Sequence, residues 1–285
     1  MAEFWHVLPS AGYKTGFIPR SDGPWLPEIS GWYQCLGARA ILTSKSTLAQ
    51  AWRAASDGYE EIMSNGYNLF DGSNPGDAPS AVTHIYLDEP LSHNGKYTNY
   101  WNAKTLQQLA QSCKDANPRR KLAIGETMGP GSSIPPSSGL YGYISDIIAA
   151  TFSTLGDDLL IMPRQYYSIG WSPLGQGDNV GTIKAWWDSL TVAFPLVQFA
   201  PWIAPTSEVQ PVTSGCDAGW TKDLVGHAKS MGWNKVYFYL DDGFESALGV
   251  RTALLDTGWA YRASNDATLN GCAHDIGVGD GKSRR

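Results

Sequence analysis

The chain has 285 residues, a net charge of −6 and 42% hydrophobic residues, and its one basic run is the terminal Lys282-Ser283-Arg284-Arg285. This argues against a nucleic-acid or anionic-membrane surface, and no apolar stretch is long enough to span a bilayer. The four cysteines (35, 113, 216 and 272) show no CxxC spacing, which argues against a zinc cluster, and no cofactor signature is present.

In chain order, Phe4–Leu8 reads as a strand with no signal-peptide pattern before it, and secretion with a removed signal is the expected localisation. An irregular stretch, Pro9 to Gly37, follows. Ala38–Thr43 reads as the second strand. Apolar positions Leu48, Ala51, Trp52, Ala55, Tyr59, Ile62 and Met63 hold helical spacing up to Asn65-Gly66. The third strand is 83–90. A helix over about 102–116, stopped by Asn117-Pro118, leads to the fourth strand, Lys121–Glu126. A helix through Ile144 and Leu155 leads to the fifth, Leu159–Arg164. A helix with Ile183, Trp186, Trp187 and Leu190 precedes the sixth, Leu196–Trp202. A helix with Trp220, Leu224, Ala228 and Met231 precedes the seventh, 236–242. A last helix, around 246–256, ends at the eighth strand, Trp259–Ala263.

Eight strands alternating with helices predict a parallel sheet, and eight units in this length predict closure into a (β/α)8 barrel of the TIM type. No Gly-x-Gly-x-x-Gly follows the first strand, which disfavours an open dinucleotide-binding sheet. The expected organisation is one barrel domain over 1–265 and a tail over 266–285. Long aromatic segments after the strands mark the C-terminal face as the elaborated one.

One pattern occurs twice. His84-Ile85-Tyr86-Leu87-Asp88-Glu89-Pro90 is echoed by Tyr237-Phe238-Tyr239-Leu240-Asp241-Asp242-Gly243. The period-2 geometry of a strand puts the hydrocarbon of Ile85 and Leu87, or Phe238 and Leu240, on one face. It puts Asp88 or Asp241 on the other, above polar-tipped aromatics. Two adjacent acids ending an apolar strand are costly unless they reach an opening. On this count the motifs end strands three and seven, across the mouth from each other. Glu126 ends strand four, Arg164 ends strand five, and Gln198 and Trp202 share one face of strand six.

These motifs, with Ile124-Gly125-Glu126, make the chain resemble (β/α)8-barrel glycoside hydrolases. Many of these place an acid/base Glu, usually after an Asn, at the end of strand four and a nucleophilic Glu at the end of strand seven. Glu126 fits the first place, with Gly125 where the Asn stands, and Asp241 occupies the second. The resemblance implies cleavage of an oligo- or polysaccharide by paired carboxyl groups, one donating a proton and one acting as nucleophile or base. Glu126 is the expected acid and Asp88 or Asp241 its partner. Trp202, Tyr166, Trp171 and Trp101 are expected sugar platforms. Arg164, Gln198, Tyr86, Tyr239, Glu89 and Asp242 complete the binding set. A monomer acting on carbohydrate without metal or cofactor is the expectation.

Two alternatives use the same residues. A non-catalytic glycan-binding barrel needs the aromatic walls alone. A divalent-metal enzyme needs carboxylates on strands three to five, where strand five offers Arg164 and no His-x-His or His-x3-His pair exists. His6 and His84 read as hydrogen-bonded core or wall residues. A disulfide between Cys216 and Cys272 would pin the Gly-rich tail in an oxidising compartment.

Overall fold

The computed structural model describes residues 7–19, 33–43, 48–67, 73–88, 103–117, 119–126, 144–166, 180–205, 218–240 and 244–263. Eight parallel strands close into a barrel with helices between them. Barrel strand one is Lys14–Pro19, two Ala38–Thr43, three Glu61–Asn65 and four His84–Asp88. Strand five is Lys121–Glu126, six Leu159–Tyr166 and eight Lys235–Leu240. Strand seven comes in two pieces, Gln198–Phe199 and Trp202–Ala204. Pro201 lies between them and cannot donate to a ladder, although its carbonyl accepts from Tyr237 N at 2.9 Å. Strand eight closes on strand one in register from Lys235 opposite Lys14 to Leu240 opposite Pro19.

The eight strands are not the eight expected. Lys14–Pro19 lies inside the stretch read as irregular. Its inward positions are Lys14, Gly16 and Ile18, so it carries almost no apolar signal. Gly16 is required there, because a Cβ would overlap the ring of Tyr237 on strand eight. The expected first and eighth strands stand outside the barrel. Val7–Pro9 pairs antiparallel with Ala260–Arg262 as a separate two-stranded sheet.

The expected helix to Met63 also ends early, at Ser56. Gly58, at φ +90°, turns the chain, and Tyr59 N closes back on Ala54 O at 3.2 Å. Ile62 then faces the helix layer while Met63 faces the barrel interior. A strand buried on both faces loses its alternation, so the run passed for a helix. Every later strand therefore moves up by one. The two Tyr-Leu-Asp motifs belong to strands four and eight, which still oppose each other.

The helices Ala103–Ala116, Ile144–Leu155, Val180–Ala193, Ala218–Ser230 and Phe244–Asp256 match the periodic segments. Their buried stripes recur at helical spacing, as in Leu106, Leu109, Ala110 and Cys113. Alternate strand residues fill two separate cores. Ile85, Leu87, Leu122, Ile124 and Phe238 pack outward against the helices. Ile18, Leu42, Met63, Tyr86, Leu160, Met162, Trp202 and Tyr237 fill the interior. The tail over 266–285 lies outside the described residues.

Candidate active site

Strand four ends at the C-terminal mouth of the barrel with Asp88, whose side chain is 36% exposed. Arg164 reaches it from strand six, donating from Nη1 to Asp88 Oδ1 at 2.7 Å. The Tyr86 hydroxyl donates to the same oxygen at 3.2 Å. A charge-assisted bond of this kind fixes a carboxylate more firmly than a neutral one. Gly125, the direct partner of Asp88 on strand five, makes room, because a Cβ there would overlap the Tyr86 hydroxyl.

Arg164 is itself shelved. Its guanidinium carbon lies 3.3 Å from the centroid of the Trp202 ring, and Trp202 is its direct neighbour on strand seven. Tyr86 and Tyr239 meet Trp202 edge-on, at 6.1 Å and 5.6 Å between centroids. Cation–π contacts out of water contribute about 2 kcal/mol. Trp202 is 4% exposed, so the expected sugar platform is instead a support under Arg164. Tyr86 is likewise buried and addresses Asp88 from below. Tyr239 is only partly buried.

The remaining expected residues fall elsewhere. Gln198 opens strand seven opposite Leu160, at the other end of the barrel from Asp88. Glu126 ends strand five in the phase of Leu122 and Ile124, which belong to the helix-facing layer. Its side chain, and that of Tyr166, lie outside the description. Glu89, Asp241, Asp242, Trp101 and Trp171 lie outside the described residues altogether. Glu89 follows strand four directly in sequence, and Asp241 follows strand eight. Among the described residues no group of three or more His, Cys, Asp or Glu could hold a metal ion.

The N-terminal end, here the floor, holds a polar cluster that the sequence reading did not assemble. Glu61 opens strand three, and its Oε1 accepts from Lys235 Nζ at 2.7 Å and Lys14 Nζ at 3.0 Å. Its Oε2 accepts from the Tyr237 hydroxyl at 2.8 Å. Burial alone would raise the Glu61 pKa, but His84, Lys235 and Lys14 outweigh it and hold it at about 2. His84 opens strand four, is 2% exposed and shares a 2.8 Å hydrogen bond between Nδ1 and Thr83 Oγ1. Burial, opposed by the attraction of Glu61, pushes its pKa down to about 3. His84 is thus the hydrogen-bonded wall residue expected. Burial, with Glu61 beside it, also pushes the Tyr237 hydroxyl well up. One signal was legible: Lys14, Glu61, His84, Lys121, Gln198 and Lys235 each begin an inward-facing strand phase.

Cys35 is disulfide-bonded and Cys113 is a free, buried thiol whose pKa burial pushes up to about 12. With four cysteines in the chain, a bridge at Cys35 and a Cys216–Cys272 bridge are mutually exclusive within one molecule.

No protein-family model matches the sequence, and no curated protein sequence does. Solved structures do resemble the fold. A tri-modular GH5 subfamily 4 endo-β-1,4-glucanase from Bacillus licheniformis superposes at a TM-score of 0.56 and 7% identity, over 87% of this chain and 60% of that one. The catalytic domain of the major endoglucanase from Xanthomonas campestris pv. campestris gives 0.52 and 11%, over 89% and 95%. A dihydropteroate synthetase gives 0.50 and 10%, over 89% and 98%. Likeness at these identities is likeness of fold, and it joins glycosidases to an unrelated chemistry.

Proposed function

We propose that this barrel is a glycoside hydrolase acting on a glucan-type oligo- or polysaccharide at its C-terminal mouth. The observation that supports it best is the Asp88 carboxylate, held at the mouth by Arg164 and Tyr86 on strand four. The glycosidase resemblance puts the proton donor at the end of that strand. Recounting the strands moves this place from Glu126 to Glu89, with Asp88 standing where the resemblance has an Asn. Glu89 then protonates the leaving oxygen as the glycosidic bond breaks. The same recount moves Asp241 from the end of strand seven to the residue after strand eight, the strand that opposes strand four. On that ground it is taken as the partner that attacks the sugar carbon or takes a proton from the attacking water. Asp88 accepts a substrate hydroxyl on Oδ2, its Oδ1 being taken. Glu126 remains the competing acid, from strand five. The disulfide at Cys35 suits an oxidising compartment, as secretion would provide.

The test is turnover on a panel of β-1,4-glucans and related polysaccharides by wild type, Glu89→Gln, Glu126→Gln and Asp241→Asn. General acid–base assistance contributes about 10²–10⁴-fold, so Glu89→Gln and Asp241→Asn lose that much kcat while Glu126→Gln does not. Loss in Glu126→Gln alone would return the acid role to strand five. Binding without cleavage by wild type would favour a non-catalytic glycan-binding barrel, which the neutralisation of Asp88 by Arg164 also suits.

A further inference from the structure

We propose that the barrel floor is a second site, which binds a small anion between His84 and Lys121. The proton on His84 can be placed from its neighbours. Thr83 Oγ1 accepts from Ile62 N at 2.8 Å, and its single proton has two acceptors within reach. One is Ile62 O at 3.2 Å, which already accepts from Thr83 N at 2.9 Å; the other is His84 Nδ1 at 2.8 Å. The shorter contact, to the unsatisfied atom, takes the proton. Nδ1 is then the acceptor and Nε2 carries the hydrogen. That N–H is buried and has no hydrogen-bond partner among the described residues. A buried donor left without an acceptor is costly, so the site calls for one.

Charge decides which acceptor. Lys14, Lys121 and Lys235 all begin strands in the inward phase, and Glu61 is the carboxylate among them. Glu60, more than half exposed, reaches Lys14 from outside at 3.0 Å. Lys14 and Lys235 are spent on Glu61. Lys121 has no ion pair or hydrogen bond among the described residues, and it pairs directly with His84 across strands four and five. Three ammonium groups, and the Arg39 guanidinium at 3.9 Å from Glu60, thus face two carboxylates. The leftover cation stands beside the leftover N–H, a combination that a small anion completes and that Glu61, with both oxygens occupied, does not.

Bromide is the probe. In crystals of the full chain soaked in bromide, an anomalous peak is expected within about 3.5 Å of His84 Nε2. In solution, replacing gluconate by bromide at constant ionic strength should raise Tm by a few degrees, because a ligand that binds only the folded state stabilises it. Lys121→Met, at a partly buried position where a long side chain is kept, should fold and lose that rise. A water or no density at Nε2, or equal bromide responses in wild type and Lys121→Met, would overturn the proposal. So would a histidine nitrogen spectrum showing the Nδ1–H tautomer of His84. The crystal and tautomer measurements use wild type and stand even if the variant misfolds.

Discussion

The barrel carries a carboxylate at each end, Glu61 at the floor and Asp88 at the mouth, and both are built from similar parts. Each is met from other strands, Glu61 by two lysines and Asp88 by Arg164, and by the hydroxyl of a tyrosine that faces a glycine. Tyr237 lies over Gly16 and reaches Glu61, while Tyr86 lies over Gly125 and reaches Asp88. The difference is in water and in spare capacity. Glu61 is 8% exposed and donors occupy both of its oxygens. Asp88 is open to the mouth, and its two donors among the described residues share Oδ1. The same device thus closes one end of the barrel and leaves an acceptor presented at the other.

If that contrast is right, the ends should respond differently to the same kind of substitution. The largest effect is expected from Glu61→Leu, which strands Lys235 and the Tyr237 hydroxyl and leaves Lys14 to the exposed Glu60 alone. Breaking a buried pair by removing one partner costs about 3–5 kcal/mol, which urea unfolding would show as a lower midpoint.

Acid should find the floor first. The unfolded His84 takes up a proton near 6.5, whereas the folded one stays neutral to about 3. The unfolded Glu61 takes one up near 4.5, the folded one only near 2. In both cases the unfolded state binds more protons as pH falls, so stability is lost from about pH 6.5 downward. Urea midpoints measured between pH 7 and 3 should fall steadily. Glu61→Gln should remove its own share of that slope, which lies below about 4.5, and leave the share that His84 contributes down to about 3.

A smaller loss is expected where glycine makes room. Gly125→Ala pushes the Tyr86 hydroxyl off Asp88, and overpacking of this kind costs about 1–3 kcal/mol. Adding Tyr86→Phe should restore part of the loss, since it removes the atom that clashes. The smallest stability effect belongs to Asp88→Asn, at most about 1 kcal/mol, because its ion pair is partly solvated.

Much of this contrast was written in the sequence. The repeated Tyr-Leu-Asp motif gave the correct phase for Tyr86, Asp88 and Tyr239, because strands buried on one polar-tipped face keep a period of two. The count of strands failed for physical reasons. Lys14–Pro19 spends its inward positions on Lys14 and Gly16, which serve Glu61 and Tyr237 rather than an apolar core. Glu61–Asn65 is buried on both faces and so imitates a helix. The false strand at Phe4–Leu8 offset the first miss in the count, so the second alone shifted Glu126 into a place that the structure gives to the end of Asp88's strand. Trp202 was legible as an aromatic at the mouth. Its partner was not, since no spacing rule brings Arg164 onto its ring from a different strand.

The most direct test of a working mouth over a holding floor is to measure Tm and kcat together for Asp88→Asn and Glu61→Gln, on the glycan that the panel identifies. Asp88→Asn should keep Tm within a few degrees of wild type and lose kcat by at least about tenfold. Glu61→Gln should lower Tm well beyond that and keep its kcat at temperatures below unfolding. A fully active Asp88→Asn, or a Glu61→Gln that loses turnover while keeping its Tm, would contradict the account.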